Sequence, residues 1–534
     1  MSGLGNKEIA GVFREIETLL QVVEGDSQRA LSYGRAARTI ETLPESAADL
    51  AASGRLGEVR GMGPKLQAVV AELLASGSVR LVQELLAKAP PGLPDMLAIP
   101  GLGPKRLHAV LHDLKASTIE ELRSAAGDGR LAEIKGFGEK TARKVLEGIE
   151  FLDRTRGQVL LPDAWALAER WREELHLPDA ALAGPARRGC PVVDQVVLVA
   201  IGRPGDAAID GARREGDAWI VRRRNEPLFR LRFAAADDFA QALFEETGPS
   251  EHVAGVLRIP GTAATEEEIY SSRALHPIPP ERRHACDGRV SPPRLVERDD
   301  LVGLVHAHTT WSDGALDLEA MAAAAQERGF SYLAVTDHSR AAAYANGLSI
   351  ERLRAQAAAV AKHNAGGGVR ILHGAEVDIL PDGSLDYPDD VLAELDFVIA
   401  SVHSSFAQDA ETVTRRIENA VRHPRVSILG HPTGRLLLRR EGYAVALDRI
   451  LEAAAETGCA VELNANPRRL DLDPQWHGRA RDLRLKIPIG PDAHSAEGMD
   501  DLVWGVLAAR HGGLGAGDVP NCLDADGFLA ALAR

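Results

Sequence analysis

Along the first 150 positions apolar residues recur every three to four places, as in EIAGVFREIETLLQVV, a spacing that predicts short amphipathic helices. From about 191 to 234 the pattern shifts to the apolar runs PVVDQVVLVAIG, DAWIVRR and LFRLRFA, which predict strands. After residue 299 the two patterns alternate. Short apolar strands are expected at LVGLVHAH, SYLAVTDH, VRILHGAEVD, FVIASVHS, VSILGHP, CAVELNAN and KIPIGPDAH, separated by helices such as LDLEAMAAAAQERG and IERLRAQAAAVAKHN. Repeated strand–helix units predict a parallel sheet, and seven of them suit a closed barrel. An active site in such a barrel gathers at the C-terminal ends of the strands. The Pro-, Gly- and charge-rich stretch at 284–298 reads as a linker. The expected fold class is multidomain, α+β and then α/β. Helical regions are expected at 1–90 and 91–155, a mixed region at 156–283, the linker at 284–298 and the barrel at 299–534.

Composition adds limits. A chain of 534 residues exceeds what one core organises. The net charge of −15 argues against a general nucleic-acid coat. Most of that surplus follows residue 300 and the first 150 residues are close to neutral, so local DNA contacts in the N-terminal half remain open. Cys190, Cys286, Cys459 and Cys522 lie far apart with no C-x-x-C, which argues against a thiolate zinc site or a disulfide framework and fits a reducing cytoplasm. The start MSGLGNKEIAGVFREIE has no signal-peptide pattern, and no run approaches 18 apolar residues. No membrane partner is expected.

Two sets of residues carry candidate chemistry. The first is a repeated turn: VRGMGPK, IPGLGPK and IKGFGEK, each followed by an apolar helix. Gly61, Gly63 and Lys65, Gly101, Gly103 and Lys105, and Gly136, Gly138 and Lys140 hold matching places. The glycines permit a tight turn. The amides opening the next helix can then receive a phosphate, with a lysine alongside. The second set lies at the ends of the barrel strands. His306 and His308 end the first, with Asp313 in the loop beyond; Asp337 and His338 end the second, Glu376 the third, His403 the fourth and His431 the fifth, and Asp492 and His494 end the last. Alternation on a strand would bring His306 and His308 to one side. One histidine is ordinary; this many imidazoles and carboxylates at one end of successive strands point to a multinuclear metal site. Metal ions a few ångströms apart suit hydrolysis of a phosphoester.

The repeated turn resembles the helix-hairpin-helix motif, which grips the DNA backbone without reading sequence. The order of regions, with AGPARRG, FAQALFEETG and TEEEIYSSRALHPIPPERR in the middle, resembles bacterial family X DNA polymerases with a C-terminal PHP (polymerase and histidinol phosphatase) domain. The resemblance implies a helix-hairpin-helix domain at 1–90, a fingers-like region with two further motifs at 91–155 and a polymerase palm at 156–283. It also implies three divalent ions (manganese or zinc, possibly iron). His306, His308, Glu376 and Asp492 would hold the first. Glu376 would bridge to a second completed by His403 and His431. Asp313, His338 and His494 would hold the third. Asp337 is expected to orient a ligand imidazole. Arg435, and Arg468 or Arg469, are candidates for the substrate phosphate, and Asn464 for orienting substrate.

The palm departs from that family where its chemistry lies. The first strand reads Asp194-Gln195-Val196 in place of Asp-x-Asp, and Arg230 stands at the third aspartate. Gly184-Pro185 replaces a Gly-Ser phosphate contact, and Glu245-Glu246 place negative charge where a triphosphate would lie. The position of the lyase lysine in eukaryotic relatives appears here as Val69. Arg187, Arg188 and Arg222-Arg223-Arg224 remain as candidates for gripping DNA. The expected activity is a metal-dependent phosphodiesterase, a 3'→5' exonuclease on gapped, nicked or 3'-end DNA in repair, with polymerase activity lost. The alternatives are an active polymerase with a PHP exonuclease, a small-molecule phosphomonoesterase of the histidinol phosphatase type, and a non-enzymatic DNA-end scaffold.

Overall fold

The computed structural model describes residues 4–41, 43, 45–203, 209, 211–223, 226–258 and 263–534, so Arg224 lies outside the described residues. Two compact units emerge, Met1–Arg156 and Gly157–Arg534.

In the first unit the helices Asn6–Leu19, Ser27–Glu41, Pro64–Ser76, Arg80–Lys88, Ile119–Gly127 and Glu139–Thr155 turn their apolar stripes inward. Phe13, Leu20, Ile40, Val70, Leu85, Leu107, Leu122 and Ile149 are buried in one continuous core, so the two expected helical regions share it. Val69 is buried there too. The three glycine turns have one geometry. The N–H groups of Met62, Leu102 and Phe137 donate to the carbonyls of Val59, Ile99 and Ile134, at 3.0, 3.2 and 2.9 Å. Those three apolar side chains are buried, and the lysines Lys65, Lys105 and Lys140 are exposed. Gly61, Gly101 and Gly136 have φ of +93°, +80° and +92°, where other residues are strained. Gly63, Gly103 and Gly138 cap the helices that follow. A Cβ on any of these glycines would meet nothing within 4 Å, so the turns present bare backbone outward.

The second unit begins with a five-stranded mixed sheet in the order Ala181–Ala183, Gln195–Ile201, Leu228–Ala234, Ala218–Val221, Arg213–Glu215. Its core holds Trp171 stacked on Phe229 at 4.1 Å, with Leu198 and Leu231 buried. The segment 284–298 is irregular as expected, but it is packed: Val296 is buried and donates its N–H to the carbonyl of Leu514 at 3.0 Å.

The barrel strands are Gly303–Ala307, Tyr332–Val335, Arg370–Asp378, Phe397–Ser401, Ile428–Leu429 and Ala460–Val461, parallel neighbours in chain order. Leu463–Asn464 prolongs the sixth and pairs in parallel with the seventh, Ile489–Gly490. The ring closes where His308 N–H donates to Ala493 O at 2.8 Å and Ala493 N–H to His306 O at 3.1 Å. Val305, Tyr332, Leu372, Phe397, Ile399 and Ile428 fill the interior, and Phe528 of the helix Ala525–Leu532 packs on Tyr332 and Phe397. This plug covers the N-terminal end of the strands and leaves the C-terminal end for the polar residues. Among the described residues no helix is long and apolar enough to cross a membrane.

Candidate metal centre

The strand-end histidines and carboxylates expected as ligands arrive at one place; Asp337 does not. Glu376, 1 % exposed, lies at the middle. Its Oε2 is 3.0 Å from His338 Nδ1, 3.6 Å from His306 Nε2 and 3.7 Å from His308 Nε2. Its Oε1 is 3.0 Å from His431 Nε2 and 3.2 Å from His403 Nε2. Asp492 Oδ1 lies 3.1 Å from His308 Nε2 and 3.5 Å from His306 Nε2. Asp313 Oδ1 lies 3.4 Å from His494 Nε2 and 3.7 Å from His338 Nε2. Three groupings bring donor atoms within 4.8 Å of one another: His306, His308 and Asp492; His338, Glu376 and His403; and His308, Asp313, His338 and His494.

These donors are poorly satisfied by the protein alone. Nε2 of His306, both ring nitrogens of His308, Nδ1 of His338 and Oε2 of Glu376 are buried without a hydrogen-bond partner. Buried polar atoms are normally paired, and orphans clustered at one point are what a cation would satisfy. The donor set, imidazoles with carboxylates, therefore fits divalent transition-metal ions.

The backbone is held in an unusual state at this point. His306, His431 and Asp492 have φ of +66°, +22° and +55°. Left-handed backbone at a residue other than glycine costs about 1–3 kcal/mol. At His306 this coincides with a bulge, a register shift between Val305 and Ala307. The regular alternation expected to align His306 with His308 is thus not what brings them together. The strand ends at Ala307, and the bulge turns His306 so that the two rings sit 5.3 Å apart.

Residues that hold the imidazoles differ from the expectation. Asp337 does not orient one. Its carboxylate accepts from the N–H groups of Thr309 and Ser312 at 2.8 and 3.1 Å, from their hydroxyls, and from Gln356 Nε2 at 2.5 Å, so it fixes the loop that carries Asp313. The orienting role falls to two residues that the sequence did not mark. Glu462, 1 % exposed, lies 2.5 Å from His306 Nδ1 through one oxygen and accepts the His431 N–H at 2.8 Å through the other. Asp378 lies 3.5 Å from His403 Nδ1. The only available signal was position: Asp378 ends the third barrel strand, and Glu462 lies between the two segments of the sixth, among apolar residues. Gly490 makes the Glu462 contact possible, since a Cβ there would fall 2.6 Å from Glu462 Oε1 and 2.9 Å from His306 Cβ. Glu462→Gln is expected to weaken metal binding about 10–100-fold, measured by metal titration against a chromogenic chelator. Unchanged affinity would remove Glu462 from the support of the site.

Charge is balanced inside the cluster. Burial opposes ionisation of Glu376 and Asp492, but the surrounding histidines hold both carboxyls well below the usual range. Burial likewise disfavours the charged form of His403, yet Glu376 and Asp378 raise it to about 10. Burial, with His494 and His338 adding repulsion, lowers His308 to about 4.

The candidate phosphate contacts separate. Arg435 is spent internally, on Asp473 and on the carbonyls of Arg469 and Leu470, which makes it a loop brace. Arg468 is exposed, and Arg469 reaches inward, with Nε 3.7 Å from Asp492 Oδ2. Asn464 Nδ2 lies 3.3 Å from the same oxygen.

In the five-stranded sheet Asp194 is exposed at the head of its strand. Arg230, in register with Val197 on the next strand, pairs with Glu246 through two 2.8 Å contacts, and Arg232 pairs with Glu245 at 2.8 Å. The two glutamates are therefore neutralised locally rather than standing as free negative charge. Arg187 is bound to Glu266 and Thr247, and Arg188 to the Thr247 carbonyl, so both brace the fold.

Comparison with known proteins adds to this geometry. The PHP domain family matches residues 305–466, the helix-hairpin-helix domain family matches 4–79, and the SAM-like helix-hairpin-helix tandem matches 93–150. The DNA polymerase/3'-5' exonuclease PolX of Bacillus subtilis is 32% identical over 564 aligned residues, covering 97% of this chain and 98% of its own. A probable phosphatase of Caldanaerobacter subterraneus is 35% identical over 137 residues, 24% of this chain and 52% of its own. Another, from a Shewanella species, is 32% identical over 202 residues, 36% and 75%.

Proposed function

The chain belongs to the bacterial family X DNA polymerases that carry a C-terminal PHP domain, and on that premise we propose that it is a 3'→5' exonuclease whose palm no longer adds nucleotides. The observation that carries this reading is the convergence of strand-end histidines and carboxylates on Glu376, with buried donor atoms left unpaired. Three exposed glycine–lysine turns in the same chain supply a grip on the DNA backbone.

In this reading the domains are the helix-hairpin-helix regions at 1–90 and 91–155, the degenerate palm at 156–283, the linker at 284–298 and the PHP domain at 299–534. His306, His308, Glu376 and Asp492 would hold one ion, His403 and His431 with Glu376 a second, and Asp313, His338 and His494 a third, with manganese, zinc or iron suited to the donors. Divalent ions bound there supply Lewis acidity for water and for phosphate oxygens. The protein's own part is positional. Glu462 fixes the His306 ring, Asp337 fixes the Asp313 loop, and Arg469 takes the phosphate in place of Arg435. The substrates are gapped, nicked or free 3' ends in the cytoplasm.

With Mn²⁺ and a 5'-labelled oligonucleotide, the protein is expected to shorten the strand stepwise from its 3' end, and a chelator is expected to stop it. Similarity to probable phosphatases keeps a phosphomonoesterase as the competing outcome. Hydrolysis of small phosphomonoesters with no shortening of DNA would replace the nuclease reading by that one.

A further inference from the structure

A large aromatic side chain stands exposed beside the metal centre. Tyr344 is 73 % exposed, and its ring lies 6.4 Å from that of His338. It sits within the field of Glu376, Asp378, Asp313 and Arg469. Burying such a ring is worth a good deal, so a tyrosine left open on a well-packed barrel needs a reason.

The loop that carries it is built to hold it there. Ala342 and Ala345 on either side are buried, and the turn is closed by Ala345 N–H donating to Ala342 O at 2.9 Å. Asn346 follows in left-handed backbone, φ +54°. Its Nδ2 donates to the carbonyls of Trp311 and Ser312 at 3.2 and 3.1 Å, tying the turn to the loop of Asp313. Arg352 donates to the Asn346 carbonyl at 2.9 Å. Gly347 admits no side chain, since a Cβ would fall 1.9 Å from Ser339 O. The backbone that carries Tyr344 is therefore braced on both sides, which limits the conformational freedom lost when a ligand meets the ring. The other exposed aromatic on these strand-end loops, Phe406, is already engaged: Tyr443 stacks on it at 6.1 Å, and the Arg440 guanidinium lies 4.6 Å from its ring.

We propose that Tyr344 receives the terminal base of the substrate by stacking. The inference rests on the nuclease reading above and adds the group that the site recognises. Every base has a π face, so a stacking ring discriminates for the presence of a base and against its absence, without regard to sequence.

The test compares single-stranded oligonucleotides ending in a normal nucleotide with the same strands ending in a tetrahydrofuran abasic residue. For the full-length protein with Mn²⁺, kcat/KM for the normal end is expected to exceed that for the abasic end about tenfold. In Tyr344→Ala that ratio falls towards one, and in Tyr344→Phe it is retained, because stacking needs the ring and not the hydroxyl. A ratio near one in the unaltered protein, or a ratio that survives Tyr344→Ala, overturns the inference while leaving the nuclease in place. A protein that shortens neither strand removes the nuclease reading and this inference with it.

Discussion

Replacement of His306 and His308 by alanine is expected to abolish hydrolysis of DNA ends while leaving DNA binding intact. Both rings are fully buried against Glu376 and Asp492, and the two residues contribute donors to two of the three groupings. Losing metal stabilisation of developing charge costs several kcal/mol of barrier, a rate loss of about a thousandfold or more. The N-terminal turns belong to a different compact unit with its own core, so their grip on the backbone is independent of the substitution. Initial rates on a 5'-labelled strand and a binding titration on the same strand measure the two properties separately. Retained cleavage would move the active site elsewhere; joint loss of cleavage and binding would show that the barrel, not the turns, holds the DNA.

The second large expectation concerns the palm. With primer, template, all four nucleotides and either Mg²⁺ or Mn²⁺, no templated extension is expected. Nucleotide transfer needs carboxylates on adjacent strands to hold two ions. Here Arg230 occupies the facing strand and is locked to Glu246 by two 2.8 Å contacts. A guanidinium at that point repels a divalent ion, and neither Glu245 nor Glu246 is free to replace the lost aspartates, since each is already paired with an arginine. Extension that follows the template base would show a metal site built from other residues. The assay is read in the same tube as the exonuclease, so a strand that shortens without ever lengthening answers both questions.

Much of this was legible in the sequence because strand ends are easy to find. An apolar run of four or five residues closing on a histidine or acid locates both the strand and the residue it presents, and repetition turned weak single signals into a site. What could not be read depends on contacts between strands. Glu462 is one acid in an apolar stretch, and only the seventh strand, with Gly490 opposite, shows that it faces His306. Asp337 adjoins His338 in sequence, which suggested an imidazole partner. Its carboxylate points instead to the loop 309–312, a choice made by chain path. Arg435 and Arg469 differ in the same way: both follow strand ends, and only the folded loop shows which one is consumed as a brace. The palm glutamates carried the right charge but not their partners, which come from a strand 13 to 16 residues earlier.

The left-handed backbone at His306, His431 and Asp492 bears on how this chain came to look as it does. At those positions the requirements of folding and of chemistry oppose each other. A glycine would relax the backbone, and a sequence drifting under folding alone would be drawn towards it. In the five-stranded sheet no such conflict exists: Arg230 and Arg232 are simply paired with Glu246 and Glu245. Strain held at one site, beside relaxed ion pairs at another, is what a chemical requirement at the first would leave in the structure.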